Sequence, residues 1–224
     1  MNSSELTGQI RTHIGDVPEP LCALHTHVIA PFLRLRQAAL ADGLDVVPHS
    51  SVRDFSRQLT IWNAKFSGAR PVLDAAGRLI DVRGLVCAAR VDALLLWSAL
   101  PGASRHHWGT DVDLIDRHAT APGYEVRLIP EEYGCGGPYA PLARWLEVNA
   151  ARYGFFRPFR GVLSGVQSEP WHYSFAPVAE NARRALSPAV LREAISAAPL
   201  LGKEEVLARL DEQHARYVAS IDWP

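Results

Sequence analysis

The chain has 224 residues, with 23 Lys or Arg against 24 Asp or Glu and a formal net charge of −1. That length allows one well-buried domain. The even charge balance, with no basic stripe, excludes a protein that holds nucleic acid by neutralising phosphates. An apolar share of 48% beside 21% charged residues is ordinary for a soluble globular chain.

Residues 21–41 carry Leu21, Leu24, Val28, Phe32, Leu35 and Ala39 at helical spacing around Pro31, which predicts one kinked helix or two short ones. Asp54 to Phe66 reads as a helix with a stripe of Phe55, Leu59, Trp62 and Phe66. In LDAAGRLIDV, short apolar runs flank Ala-Gly, the pattern of a β-hairpin. Residues 88–100 read as helix and stop at Pro101-Gly102. Polar and apolar residues alternate in Asp111 to Asp116 and again in YEVRLI (124–129), predicting half-buried strands. Pro141 opens a helix that leaves at Gly154, and VQSEPWHYSF returns to strand-like composition.

From Pro188 to Ile221 the chain reads as helical. Val206, Leu210, His214, Tyr217 and Ile221 form a stripe expected to cover the core. Helices around a few short antiparallel strands make an α+β fold, expected as a single domain over 1–224. Cys22, Cys87 and Cys135 lack a C-x-x-C pair and are expected as free, mostly buried thiols. The N-terminus has no basic segment followed by an apolar one, so no secretory signal is expected. ALLLWSAL, the most apolar run, is too short for a membrane span.

Chemistry concentrates in GASRHHWGTDVDLID (102–116). A catalytic zinc takes three protein ligands and keeps one position open. On a straight strand His106 and Asp113 are too far apart to converge, but a turn at Gly109 would bring a loop histidine back over the strand carrying Asp113. Positions 111 and 113 share one strand face, and Val112 and Leu114 enter the other. A third ligand must come from elsewhere, and SEPWHYSF offers His172. Glu169 precedes Pro170 and reaches the same place only if the chain bends there. A glutamate beside a metal, without ligating it, suits the general base for an attacking water. His25 and His27 do not share a helix face and do not read as a second metal site. Asp116 and His118 are expected in a loop, and Trp108 and Trp171 fit either a pocket wall or the core.

The pattern S-x-H-x-x-G-x-x-x-D (Ser104, His106, Gly109, Asp113) followed by E-P-W-H (Glu169, Trp171, His172) resembles the D-Ala-D-Ala carboxypeptidase, VanY-like branch of the LAS metallopeptidases. The helix WLEVNAARYGF and the segment SSVRDFSRQ, with Arg53 and Gln58, are similar to further family segments. The resemblance covers roughly residues 45–176, leaving 178–224 as a helical C-terminal extension. It implies a hedgehog/DD-peptidase-like α+β fold whose small antiparallel sheet carries one zinc ion on His106, Asp113 and His172. Glu169 is then the base, and Arg53 holds the scissile carbonyl oxygen as charge grows on it. Ser104, Gln58 and Trp171 fall to substrate binding, and His107 to the pocket wall or to support of its neighbour.

Three features depart from the family pattern. Val52 and Asp54 stand where the family usually has Tyr and Ser, and residues 69–87 look inserted. Asp111 replaces a residue that is commonly small, as an acceptor for a ligand N–H or an acid facing the site. The implied substrate is a peptidoglycan stem peptide or another D-Ala-containing peptide. The implied activity is release of terminal D-Ala; cleavage of L-Ala–D-Glu, hydrolysis of free D-Ala-D-Ala, and silent zinc binding are the alternatives. That substrate lies outside the cytoplasmic membrane, so the missing signal leaves either a cytoplasmic protein or another export route.

Overall fold

Two short strands pair before the first long helix begins. The computed structural model describes residues 1–223. After a single helical turn, α1 (Ser3–Leu6), strands β1 (Ile14–Pro18) and β2 (Leu21–His25) form an antiparallel hairpin. Leu21 and Leu24 therefore belong to a strand, correcting the helix expected from residue 21. The expectation failed because Leu21 is 86% exposed and Leu24 fully buried, a strand alternation that happens to coincide with helical spacing over so short a run. The helix α2 (Thr26–Ala41) starts one residue after β2 and continues through Pro31, which is buried on its inner face with Val28, Phe32, Leu35 and Ala39.

β3 (Val46–Ser50) follows, and then α3 (Phe55–Phe66), whose N-cap Asp54 accepts the Arg57 N–H at 2.7 Å. The inserted residues form the expected hairpin, β4 (Val72–Leu73) with β5 (Leu79–Ile80), before α4 (Cys87–Leu95). β6 is Asp111–Asp116. The short helix α5 (Pro130–Tyr133) leads to α6 (Ala140–Asn149), which ends in a 3-10 turn with Gly154 in the left-handed conformation. β7 (Phe155–Phe156) and β8 (His172–Phe175) complete the strands. The C-terminal part is α7 (Ala176–Ala185), α8 (Pro188–Ser196), α9 (Lys203–Ala208), α10 (Leu210–Gln213) and a π-helical turn over His214–Ala219. Among the described residues no helix is long and apolar enough to cross a membrane.

The central sheet is antiparallel in the order β3-β6-β8-β7. Alternation divides its middle strands cleanly. Val112, Leu114, Tyr173 and Phe175 pack with α2 and α6 residues such as Phe32, Leu35, Leu142 and Leu146. Each such buried side chain contributes about 1.5–3 kcal/mol, enough to fix the register, because a one-residue slip would turn this whole face outward. A second apolar cluster joins Trp62, Leu94, Leu95 and Trp108 to Leu191, Ile195, Val206 and Leu210. The C-terminal stripe is thus a packing face, as expected, although Gly202 and Arg209 break its helix into pieces.

The strand expected at 124–129 does not form. The carboxylate of the buried Glu132 instead accepts the Arg127 and Ile129 N–H groups at 3.1 and 3.3 Å, and the Tyr124 hydroxyl at 2.7 Å. It captures donors that a β ladder would have used, and Leu128 sits at φ 52. The thiols also differ from expectation: Cys22 is half-buried, but Cys87 and Cys135 are exposed, at the start of α4 and in the turn after α5.

Candidate active site

Gly109 makes the turn on which the site depends. It closes the 3-10 turn Arg105–Trp108 at φ 67, and a Cβ added there would lie 2.5 Å from the His25 backbone nitrogen. Gly109→Ala is expected to lower stability by at least about 1–2 kcal/mol, from the left-handed backbone alone. Denaturant melts check this, and a midpoint equal to the parent's would contradict it. Past the turn the chain enters β6, where Asp113 pairs in register with His172 of β8, and Asp111 with Ser174. All four side chains lie on the sheet face away from the α2–α6 core. The bend at Pro170 is present too: the His172 N–H donates to the Glu169 carbonyl at 3.2 Å, which returns the Glu169 carboxylate to within 3.4 Å of His172 Nδ1.

The two histidine rings are oriented by their outer nitrogens. His106 Nδ1 donates to the Ser51 carbonyl at 2.8 Å, freeing Nε2, which lies 3.4 Å from Asp113 Oδ2. His172 Nε2 donates to Asp111 Oδ1 at 2.9 Å, leaving Nδ1 3.1 Å from Asp113 Oδ1. That carboxylate oxygen is buried and has no hydrogen-bond donor. With His172 neutral, lone pairs face one another in a closed space, an arrangement that a positive charge between them relieves. Donor atoms of His106, Asp113 and His172 all lie within 4.8 Å of one another. Two imidazoles and a carboxylate are a donor set suited to zinc, so the residues present fit such an ion. Burial disfavours charge on the His172 ring, but Asp111 and Asp113 outweigh it and push its pKa up to about 10 in the metal-free chain. Burial opposes charge on Asp113 as well, yet His106 and His172 hold its carboxyl well below the usual range.

Asp111 is the anchor behind His172. It is fully buried and also accepts from Arg105 Nε at 2.7 Å, Ser174 Oγ at 3.0 Å and the Thr110 hydroxyl. Of the two readings of Asp111, the acceptor for a ligand N–H is the one the geometry matches. Arg105, which the sequence reading did not single out, stacks on Trp108 at 4.8 Å and also donates to Ser174 Oγ at 2.6 Å. An arginine next to a candidate ligand histidine in sequence was the available signal, but only the fold reveals its carboxylate partner.

His107 points away from the ligands. Its Nδ1 donates to the Arg53 carbonyl at 2.6 Å and its Nε2 accepts the Gly102 N–H at 3.1 Å. Burial pulls its pKa down to about 4, so it remains neutral. With His106 on the Ser51 carbonyl, the adjacent histidines clamp both ends of the 51–53 segment. Arg53 in turn donates to Gln58 Oε1 at 2.9 Å and Ser50 Oγ at 3.1 Å, while Gln58 Nε2 donates to the Ala99 carbonyl at 2.7 Å. Gln58 lines the same cavity as Arg53, with its amide oxygen held by Arg53 and its amide nitrogen by Ala99.

Arg53, Ser104, His106, Asp113, Glu169 and His172 line one cavity of about 1570 Å³. Trp171 lines it as well while its ring rests on Tyr133 at 5.7 Å; Trp108 is fully buried in the core. The β4–β5 insertion forms one wall, the irregular 125–131 segment another, and Tyr217 and Val218 bring the C-terminal part to its edge. Burial, with Asp113 adding to it, pushes the Glu169 carboxyl up to about 7 against the pull of His172, Lys65 and Arg53. Asp116 ends β6 and accepts the Asp45 and His118 N–H groups, so neither it nor His118 enters the site. His25 caps α2 by accepting the His27 N–H at 3.1 Å, a structural role for that pair.

A family model described as VanY: D-alanyl-D-alanine carboxypeptidase matches residues 22–178, and the chain belongs to that family. The match begins well before residue 45, taking in β2 and α2. An uncharacterised protein of Haemophilus influenzae is 36% identical over 121 residues, covering 53% of this chain and 92% of that protein. A D-alanyl-D-alanine carboxypeptidase of Enterococcus faecalis is 29% identical over 154 residues, 67% of this chain but 47% of the relative. Among solved structures, VanYB in complex with D-alanine-D-alanine has the same fold, with a TM-score of 0.55 at 21% identity over 84% of this chain and 91% of that one. A glutamate-to-alanine mutant of the vancomycin resistance D,D-pentapeptidase VanY in complex with Zn(II) matches with a TM-score of 0.53 at 23% identity, over 88% and 91%.

Proposed function

We propose that this protein is a zinc-dependent D-Ala-D-Ala carboxypeptidase that releases the terminal D-Ala of peptidoglycan-type stem peptides. The observation that carries the reading is the convergence of His106 Nε2, Asp113 and His172 Nδ1 beside the buried Glu169 carboxyl, in a cavity that Arg53 also lines. The zinc reported for one VanY structure and the D-alanine-D-alanine bound to VanYB support the choice of metal and substrate.

His106, Asp113 and His172 would hold one zinc ion, which would supply Lewis-acid activation of water and of the scissile carbonyl. Glu169 takes the proton of the attacking water on its carboxylate and delivers it to the leaving amine nitrogen. A carboxyl poised near neutrality suits both halves of that transfer. Arg53, held by Gln58, Ser50 and the His107 clamp, directs its guanidinium at the carbonyl oxygen as negative charge develops. Ser104 and Trp171 belong to the wall that the peptide lies against. The chain acts as a single domain, with Tyr217 and Val218 of the C-terminal extension closing part of the cavity.

The purified chain loaded with zinc is expected to release D-Ala from an N-acylated peptide ending in D-Ala-D-Ala. Chelation should abolish release and one equivalent of zinc should restore it. Absence of release, or release indifferent to chelation, would sink the proposal. Digestion of muropeptides, with products identified by mass, separates this activity from cleavage at L-Ala–D-Glu.

A further inference from the structure

Lys65 is a half-buried cation that the proposed reaction leaves unused. It sits in the last turn of α3, on the helix whose Trp62 and Phe66 enter the core, and it lines the same cavity as Glu169 and Arg53. Its ammonium donates to Ser98 Oγ at 2.6 Å, on the loop after α4. Among the described residues no carboxylate forms an ion pair with it. An ammonium carries three donors, so one hydroxyl leaves two of them to be satisfied from the cavity. Burial pulls the Lys65 pKa down to about 8, and Arg70 and Arg53 add to the effect while Glu169 opposes it. A partly desolvated cation with no ion-paired carboxylate is costly to keep, and a cavity wall is where an incoming anion would offset that cost.

The chemistry of the cavity limits which anion. A peptide whose scissile carbonyl lies between Arg53 and the His106–Asp113–His172 cluster places its leaving residue beyond the scissile nitrogen. If that residue is the last one, its α-carboxylate follows within two bonds. A substrate cut in mid-chain would present a neutral amide there, which an ammonium with a hydroxyl partner receives less well than a carboxylate.

We propose that Lys65, assisted by Ser98, receives the free α-carboxylate of the substrate's C-terminal residue and thereby selects exo- over endo-cleavage. The inference rests on the peptidase reading above and deepens it: the ligand class is a peptide with a free C-terminal carboxylate. Lys65 binds and selects; it takes no part in proton transfer.

The test uses the full chain and a matched pair of N-acylated D-Ala-D-Ala peptides, one with a free carboxylate and one with a C-terminal amide. With the zinc-loaded parent, the acid should be preferred. Lys65→Met is expected to raise KM for the acid by about 10- to 100-fold, the size of a charge-assisted hydrogen bond, with kcat and amide hydrolysis little changed. Lys65→Arg should recover part of the loss, and Ser98→Ala, which leaves the ammonium in place, should cost less than Lys65→Met. Calorimetric binding of the two peptides to the metal-free chain reads the same preference without turnover, and a thermal melt verifies that each variant folds. No preference of the parent for acid over amide, or a preference that survives in folded Lys65→Met, overturns the proposal. Lys65-dependent binding of the acid without hydrolysis would sustain the subsite and remove the assigned reaction. Hydrolysis of D-Ala-D-Ala indifferent to Lys65 would do the reverse.

Discussion

Glu169→Ala is expected to lower kcat/KM for a D-Ala-D-Ala peptide by about 10²- to 10⁴-fold, while the protein still takes up one zinc. The two halves of that outcome have separate causes. Glu169 approaches His172 at 3.4 Å but is outside the group of donor atoms that fits a metal, so removing it leaves the ligand set whole. In the proposed reaction its carboxyl serves both the attacking water and the departing nitrogen, and burial has already pushed its pKa up to about 7. Below that pKa the base is protonated, so activity falls as pH drops through it; positive charge at the ligand cluster moves this limb lower. Glu169→Gln keeps the shape and removes the proton acceptor, and should be about as inactive. Metal content by atomic absorption, measured on the same preparations as turnover, checks both halves. Turnover within tenfold of the parent would remove Glu169 from its role, and loss of zinc with activity would make it a ligand instead.

Asp111→Ala is expected to weaken zinc binding by about 10- to 100-fold, the usual cost of losing the partner that orients a ligand histidine. It should also destabilise the fold by about 3–5 kcal/mol, because it strands the Arg105 guanidinium in a buried site without its carboxylate. Asp111 is fully buried, with Arg105 Nε at 2.7 Å and His172 Nε2 at 2.9 Å. Without this acceptor, His172 is free to carry its proton on Nδ1, the nitrogen that faces Asp113. Competition against a chromophoric chelator measures the affinity, and denaturant unfolding of the metal-free protein measures the stability. Replacing Arg105 by Met in the same chain should recover part of the stability but none of the affinity, since the stranded charge and the lost orientation are different faults. Unchanged zinc affinity in Asp111→Ala would show that His172 is held by other means.

Local chemistry carried much of the site. His106, Asp113, His172 and Glu169 stand in two short stretches whose residue types and spacing already suggested three ligands and a base, and Gly109 and Pro170 marked the two bends needed to bring them together. The alternation of 111–116 gave the central strand, and Asp54 gave the start of α3. Where periodicity misled, a long-range partner was responsible. YEVRLI alternates like a strand, but the Glu132 carboxylate takes its N–H groups. Leu21 and Leu24 keep helical spacing, but β1 pairs with them first. Composition likewise suggested buried thiols, yet Cys87 and Cys135 lie on turns and helix ends that face solvent.

By itself the sequence determined the chemical inventory: which side chains can ligate, which can move a proton, and where the backbone must turn. These are properties of residue types and of neighbours along the chain, so they are written locally. Tertiary structure alone decided how each group is held. His107 grips the Arg53 carbonyl, Asp111 joins Arg105 to His172, and Lys65 reaches the cavity wall beside Ser98, although none of these pairings is implied by spacing. Their partners come from other strands and helices, and it is burial at those contacts, where an unpaired charge or donor is expensive, that turns an inventory of groups into an oriented site.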